Sequence, residues 1–111
     1  MSLSIKVQRA ADEPRAKVIL TGDLDAEGGL NARRELVGLI QAGSLDITVN
    51  LDRVGFLDSS GLASLIASLR QARERGGDVT VETTNERIRR VLEVTALAQV
   101  FKLQPVVSAA A

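Results

Sequence analysis

Apolar residues recur along the chain with two periods, one typical of strands and the other typical of helices. Short apolar stretches predict five strands, at residues 5–9, 17–21, 46–51, 78–82 and 100–103. Apolar residues spaced three and four apart predict three amphipathic helices, whose apolar stripes start at Leu30, Leu62 and Ile88. The predicted order of elements is therefore β-β-α-β-α-β-α-β.

This order predicts an α/β fold with a mixed sheet. Strand-helix-strand units favour parallel pairing, whereas the polar turn at residues 11–14 predicts that the first two strands form an antiparallel hairpin. We expect a sheet of four to five strands packed with helices. A chain of 111 residues has room for one domain, residues 1–111, with a core of about residues 4–103. Residues 104–111 are expected to form a frayed tail.

Glycines and short polar runs mark the predicted boundaries of the elements. Gly43 and the pair Gly76-Gly77 are expected to end the first two helices. Thr84-Asn85 can cap the third helix. The glycine-rich residues 26–29 predict a mobile loop before the first helix, and residues 54–57 are expected to lie in a loop before the second.

Charge and hydropathy limit the classes of partner. Lysine plus arginine and aspartate plus glutamate number 14 each, so no net field attracts the chain to nucleic acid or anionic lipid. The N-terminal residues lack an apolar signal segment, and no apolar run is long enough to cross a bilayer. We therefore expect a cytoplasmic protein that neither inserts into a membrane nor binds nucleic acid directly.

The residue types that the chain lacks exclude most catalytic chemistry. Without histidine or cysteine, Ser-His-Asp and Cys-His catalysis and ordinary zinc sites are impossible, so a metal could only be a hard cation held by oxygens. With two phenylalanines and no tyrosine or tryptophan, the chain offers no stacking platform for single-stranded nucleic acid. We expect a protein that is not an enzyme and needs no cofactor or metal.

The serine pair Ser59-Ser60 lies where the third strand gives way to the second helix. A serine at this point can be a simple N-cap, and Ser59 is predicted to be that cap. Ser60 would then be the first helical residue, with a free hydroxyl that a phosphate could modify, since a helix N-terminus favours negative charge. Gly61 would let an enzyme or a phosphate approach the backbone closely. The neighbouring Asp58 would repel a phosphate, so phosphorylation should change partner affinity rather than tighten the fold.

Small residues follow the serine pair along one side of the second helix. Ser60, Ser64 and Ser68 lie four residues apart, and Ala63 and Ala67 flank them. The stripe can be explained by close packing against another element of the same domain. We prefer the alternative, a flat docking face turned to solvent beside the serine pair.

Three motifs together resemble the STAS domain family, in particular the bacterial anti-sigma factor antagonists. Residues 54–62, which contain Asp58-Ser59-Ser60-Gly61-Leu62, resemble the phosphorylation segment of those proteins. Gly22-Asp23-Leu24-Asp25 resembles the turn after their second strand, and Gly76-Gly77 resembles their glycine pair after the long helix. The resemblance covers about residues 4–103. Family members commonly end in a further helix, which here is expected to be short or missing.

The resemblance implies a switch without catalysis. The unphosphorylated domain would bind an anti-sigma factor that is also a serine kinase, phosphorylation would break the complex, and a serine phosphatase would restore it. The kinase would supply the nucleotide and Mg²⁺. By this resemblance the acceptor is Ser60, with Ser59 as the alternative. The expected partner-binding residues are Asp23, Asp25, Asp58, Ser59, Gly61, Ala63, Ser64 and Ala67.

Other functions stay open at the level of sequence. STAS domains also serve as scaffold subunits of stress-sensing complexes and as components of lipid or anion transport systems, and retention of the full serine segment favours the switch over these roles. A remote alternative is a receiver-like domain phosphorylated on aspartate. Asp23 and Asp52 are too close in sequence for a receiver's acidic site and acceptor, and Asp23 and Asp25 are better explained as turn formers and helix-entry caps.

Overall fold

The order of helices and strands is the one that the hydrophobic pattern predicts. The computed structural model describes residues 3–9, 13–94 and 102–104. Its elements are β1 (Ser4–Gln8), β2 (Arg15–Leu24), α1 (Ala26–Gln41), β3 (Asp46–Leu57), α2 (Ser59–Glu74), β4 (Asp78–Glu82), α3 (Glu86–Val94) and β5 (Lys102–Gln104).

The strands form one mixed sheet in chain order, β1-β2-β3-β4-β5. β1 pairs with β2 in antiparallel fashion, and the other three pairings are parallel. The predicted mixed sheet with an antiparallel opening pair is therefore confirmed. The predicted turn of the hairpin falls partly on residues 10–12, which lie outside the described residues.

One face of the sheet is built from valines that stand in register. Val18 of β2 pairs with Val49 of β3, which pairs with Val81 of β4, and all three are fully buried. α1 packs against β2 and α2, and it buries Leu36 and Ile40. Burying such side chains contributes about 1.5 to 3 kcal/mol each, so this layer supplies much of the stability of the fold.

β2 and β3 are longer than predicted. β2 extends to Leu24, and β3 runs through residues 54–57, which were wrongly predicted to form a loop. The two strand ends pair with each other through register shifts at Ile19/Thr21 and Gly22/Asp23. The register shifts disturb the regular alternation of apolar and polar residues, and backbone pairing rather than side-chain pattern defines this part of the sheet.

α1 begins four residues before its apolar stripe. Residues 26–29 were predicted to be a mobile loop, but they form the first turn of the helix, and Gly28 and Gly29 are buried. Both positions need glycine, because the start of α1 lies too close to neighbouring atoms to leave room for a Cβ. The prediction was wrong because composition alone does not show such a close approach.

The predicted frayed tail and the shortened final helix fall on residues 105–111, which lie outside the described residues. Gln104 itself belongs to β5. In the part of the chain that the structure describes, no helix has the length and apolar character required to span a membrane.

Candidate functional site

The ends of β2 and β3 bring the predicted site residues together at one edge of the sheet. Asp23 pairs with Phe56 and Leu24 pairs with Leu57, so the two strands end side by side. The backbone N–H of Asp58 also donates to the carbonyl oxygen of Leu24 over 3.4 Å. α1 and α2 start directly after these strand ends. The residues gathered here are Asp23, Asp25, Asp58, Ser59 and Ser60.

Both helices begin with the same cap, an aspartate followed three residues later by a glycine. The Asp58 carboxylate accepts a hydrogen bond from the Gly61 backbone N–H at 3.0 Å, and Asp25 accepts one from Gly28 at 2.8 Å. The prediction that Ser59 caps α2 was therefore wrong. Asp58 lies one residue earlier and has the extended backbone that an N-cap residue adopts. The prediction that Asp25 caps a helix is confirmed, and the same Asp-x-x-Gly pattern is the sequence signal that could have identified the cap at Asp58.

The two serines are the first two residues of α2, and both are exposed. Neither side-chain hydroxyl makes a hydrogen bond with any residue that the structure describes. With Asp58 as the cap, the distinction between a capping Ser59 and a free Ser60 no longer holds. Both hydroxyls are accessible in the same way.

Gly61 is buried in the domain instead of opening the backbone to an incoming group. A Cβ atom at this position would overlap the carbonyl group of Leu24 and would lie 2.9 Å from the Leu24 Cγ. The glycine therefore lets α2 begin directly against the end of β2. The prediction that Gly61 leaves room for an enzyme or a phosphate was wrong, because the end of β2 fills that space.

The stripe of small residues on α2 faces α1 for part of its length. Ser68 is fully buried, and the half-buried Ser64 would have its Oγ 2.8 Å from a Cβ at Gly29. The hydroxyls of both serines donate to the carbonyl oxygens four residues earlier, at 3.2 and 3.0 Å. The prediction that this stripe faces solvent was wrong for Ser68, and close packing of two helices explains it. Ala63 remains exposed and Ala67 is half-buried.

Asp23 lies on the neighbouring strand end and is half-buried. A Cβ at Gly55 would be 4.0 Å from one of its carboxylate oxygens, so the side chain lies over the end of β3. Together with Asp25 and Asp58 it makes this edge of the sheet acidic. An added phosphate here would therefore meet negative charge already in place.

Phe56 adds an apolar group to this edge. It is 51% exposed and, with Arg87 and Val91 of α3, lines a shallow cleft of about 180 Å³. Sequence reasoning missed Phe56 because it was assigned to a loop; the available signal was that the chain has only two aromatic residues.

Asp52, the candidate acceptor of a receiver-like site, has a structural role. Its carboxylate accepts hydrogen bonds from the hydroxyls of Thr83 and Thr84, both at 3.1 Å, and from the Thr84 backbone N–H. Burial alone would raise the pKa of Asp52, but these hydrogen bonds hold it below the ordinary value of 3.8.

Residues 3–9, 13–94 and 102–104 contain no cluster of three or more potential metal ligands.

The sequence matches a known domain model over most of its length. A family model described as "Mlab, STAS domain" matches residues 7–105. The anti-sigma-B factor antagonist of Bacillus subtilis (strain 168) is 26% identical to the chain over 101 residues, which cover 91% of this chain and 92% of that protein.

Solved structures share the fold. The anti-sigma factor antagonist SpoIIAA in its unphosphorylated form superposes with a TM-score of 0.79 at 20% identity, covering 95% of this chain and 90% of that one. The phosphorylated form of SpoIIAA, a cell fate determinant of Bacillus, gives a TM-score of 0.73 at 18% identity, with coverage of 95% and 93%. At these identities the likeness concerns the fold.

Proposed function

The chain belongs to the STAS domain family, and from this premise we propose that it acts as an anti-sigma factor antagonist. The unphosphorylated domain binds and sequesters an anti-sigma factor that is also a serine kinase. Phosphorylation in the serine pair releases that partner, and a serine phosphatase restores binding. The match to a relative named as an anti-sigma-B factor antagonist over 91% of the chain supports this role.

The observation that carries the proposal is the exposed serine pair at the start of α2. Two free hydroxyls stand at the edge of the sheet where Asp23 and Asp58 also lie. A phosphate would add about −1.5 to −2 charges at this point. A partner that packs against uncharged hydroxyls would then have to desolvate that charge beside carboxylates, which opposes binding.

The contact surface in this proposal consists of the accessible residues at the site. Gly61 is buried and Ser64 lies against Gly29, so these two set the position of the surface instead of touching the partner. Exposed Ala63 leaves room for a partner chain to approach the serines closely. The contacting residues are Asp23, Asp25, Asp58, Ser59, Ser60, Ala63 and Ala67.

By resemblance to the family, the expected phosphate acceptor is Ser60, with Ser59 as the alternative. Because Asp58 takes the capping role, Ser59 has a free hydroxyl and is exposed, as Ser60 is. We therefore assign the modification to the pair and leave the choice to direct mapping. In this mechanism the domain performs no catalysis, and the kinase holds the ATP and Mg²⁺.

The test is to incubate the full chain with each anti-sigma factor kinase of its source organism, with ATP and Mg²⁺, and to map the modified residue by mass spectrometry. We expect one kinase to bind the domain and to place phosphate on Ser59 or Ser60. The variants Ser59→Ala, Ser60→Ala and the double variant identify the acceptor, and reactions without Mg²⁺ serve as controls. A partner that binds while the pair stays unmodified would contradict the switch and favour a scaffold role.

A further inference from the structure

A second surface runs along the junction of α1 and α2. It is a groove of about 230 Å³, lined by Leu30, Arg33, Arg34 and Val37 of α1 and by Gln71 of α2. We call it the α1–α2 groove. Leu30 is 49% exposed, and with Phe56 it is one of two large apolar side chains exposed within the described part of the chain.

The charges of the α1–α2 groove are unbalanced. Arg33 and Arg34 are exposed, and neither guanidinium has a hydrogen bond or ion pair with a residue that the structure describes. No acidic side chain lines the groove. By contrast, Arg89 of α3 pairs with Glu93 at 3.2 Å. The groove therefore presents apolar surface together with two cations that lack anionic partners.

The geometry of the groove suits a helix. Leu30, Arg34 and Val37 lie at i, i+4 and i+7 on one face of α1, so the groove extends along about 10 Å, or two helical turns. A helix that inserts one or two apolar side chains and carries acidic residues on its flanks would complement it. Two cations on a chain of zero net charge would hold an anionic membrane or a nucleic acid only weakly.

The groove is continuous with the site at the serine pair. Leu30 follows Gly29, whose Cβ position lies 3.3 Å from the carbonyl oxygen of Ser60. A partner that contacts the start of α2 can therefore extend along the same pair of helices. We propose that the α1–α2 groove docks an acidic amphipathic helix of the partner protein. Only the identity of that partner rests on the proposed function.

The test uses a synthetic probe and the full chain. The probe is a labelled helical peptide of about 15 residues, with leucines on one face and glutamates flanking them. Its control replaces each glutamate by glutamine. We expect the glutamate peptide to shift the amide NMR signals of Leu30, Arg34, Val37 and Gln71. We also expect it to bind about tenfold more tightly than its control, because both arginines lack anionic partners.

Charge reversal separates the groove from general electrostatics. The variant R33E/R34E should lose the preference for the glutamate peptide, whereas R15E/R90E, with the same change of net charge at exposed sites outside the groove, should keep it. Circular dichroism checks that both variants are folded. Equal binding of the two peptides, or signal shifts elsewhere on the domain, would overturn the proposal.

The identity of the partner and the binding preference of the groove are tested by separate measurements. Given a kinase that binds wild-type domain, R33E/R34E should weaken that complex about tenfold and R15E/R90E should not. If no kinase binds, the proposed function fails while the peptide result still decides the groove. Binding to vesicles of anionic phospholipid, or self-association of the chain, that disappears in R33E/R34E would assign the groove to another occupant and overturn the proposal.

Discussion

Gly61 lies so close to Leu24 that a Cβ atom at position 61 would overlap the Leu24 carbonyl oxygen. This contact joins the start of α2 to the end of β2, and the Asp58 N–H donates to the same carbonyl group. Because Ser59 and Ser60 lie between Asp58 and Gly61, the contact also fixes the position of the serine pair. The glycine thus has a packing role that determines where the site is.

Gly61→Ala should destabilise the domain. The added methyl group meets backbone atoms that cannot rotate away, so either α2 or β2 must shift, at a cost of about 3 kcal/mol. The free energy of unfolding from urea titration followed by circular dichroism measures the effect. Gly38→Ala is the matched control, because a Cβ at Gly38 has no neighbour within 4 Å. It should stabilise α1 by about 0.5 to 1 kcal/mol. Equal effects of the two substitutions would contradict the close contact.

Asp58→Ala should lower the free energy of unfolding by about 1 kcal/mol, since the Gly61 N–H would lose its acceptor. Asp58→Asn keeps a side-chain oxygen at the cap and should retain most of the stability. Thermal unfolding of both variants at neutral pH makes the comparison. If the asparagine variant were as unstable as the alanine variant, the charge of Asp58 rather than its capping bond would be the stabilising feature.

The hydrophobic pattern was sufficient to predict the order of elements and the mixed sheet. Rows such as Val18, Val49 and Val81 face one core, and burial of alternate residues is what that pattern records. The pattern failed at the site, where backbone contacts decide the structure. The pairing of Leu24 with Leu57 and the close approach of Gly61 to the Leu24 carbonyl group depend on backbone atoms, so the type of the neighbouring side chain carries little information about them.

The proximity of the predicted site residues was easier to predict than their structural roles. The carboxyl ends of neighbouring parallel strands lie at the same edge of a sheet. Because the two family motifs follow β2 and β3, this rule brings together Asp23, Asp58 and the serine pair. The cap was assigned to Ser59 because serine and aspartate are nearly equal as N-caps, and only the observed start of the helix distinguishes them. The α1–α2 groove could not be predicted from the sequence, because its lining depends on the relative positions of both helices.

Asp52 should make the free energy of unfolding depend on pH in the acid range. Its pKa is lower in the folded protein than the ordinary value of 3.8, so its hydrogen bonds to Thr83 and Thr84 stabilise the fold fully above about pH 4. That contribution is lost as the pH falls through the lowered pKa. Asp52→Asn keeps the accepting oxygen but loses its charge, so it should cost about 1 kcal/mol at neutral pH, and the difference from wild type should shrink in acid.

The measurement for Asp52 is urea unfolding at a series of pH values from neutral to below the ordinary carboxyl range. Asp46→Asn, at the start of the same strand, is the control, because the Asp46 side chain is exposed and makes no hydrogen bond with a described residue. It should leave the curve close to that of wild type. A constant difference between wild type and Asp52→Asn across the whole range would rule out the proposed linkage.

If the proposed function is right, charge at the serine pair should control binding of the proposed anti-sigma factor kinase. Ser60→Ala should preserve the complex, because alanine keeps the surface uncharged, and Ser60→Asp should weaken it about tenfold, because a carboxylate carries part of the charge of a phosphate. The same two substitutions at Ser59 test the other hydroxyl. Dissociation constants from titration calorimetry give the comparison.

Gln41→Glu is the control, because it adds the same charge at the exposed far end of α1, about 20 Å from the first turn. It should leave the dissociation constant unchanged. If aspartate at both serines bound the kinase as tightly as alanine, charge at the start of α2 would not be the switch, and release would have to come from another part of the molecule.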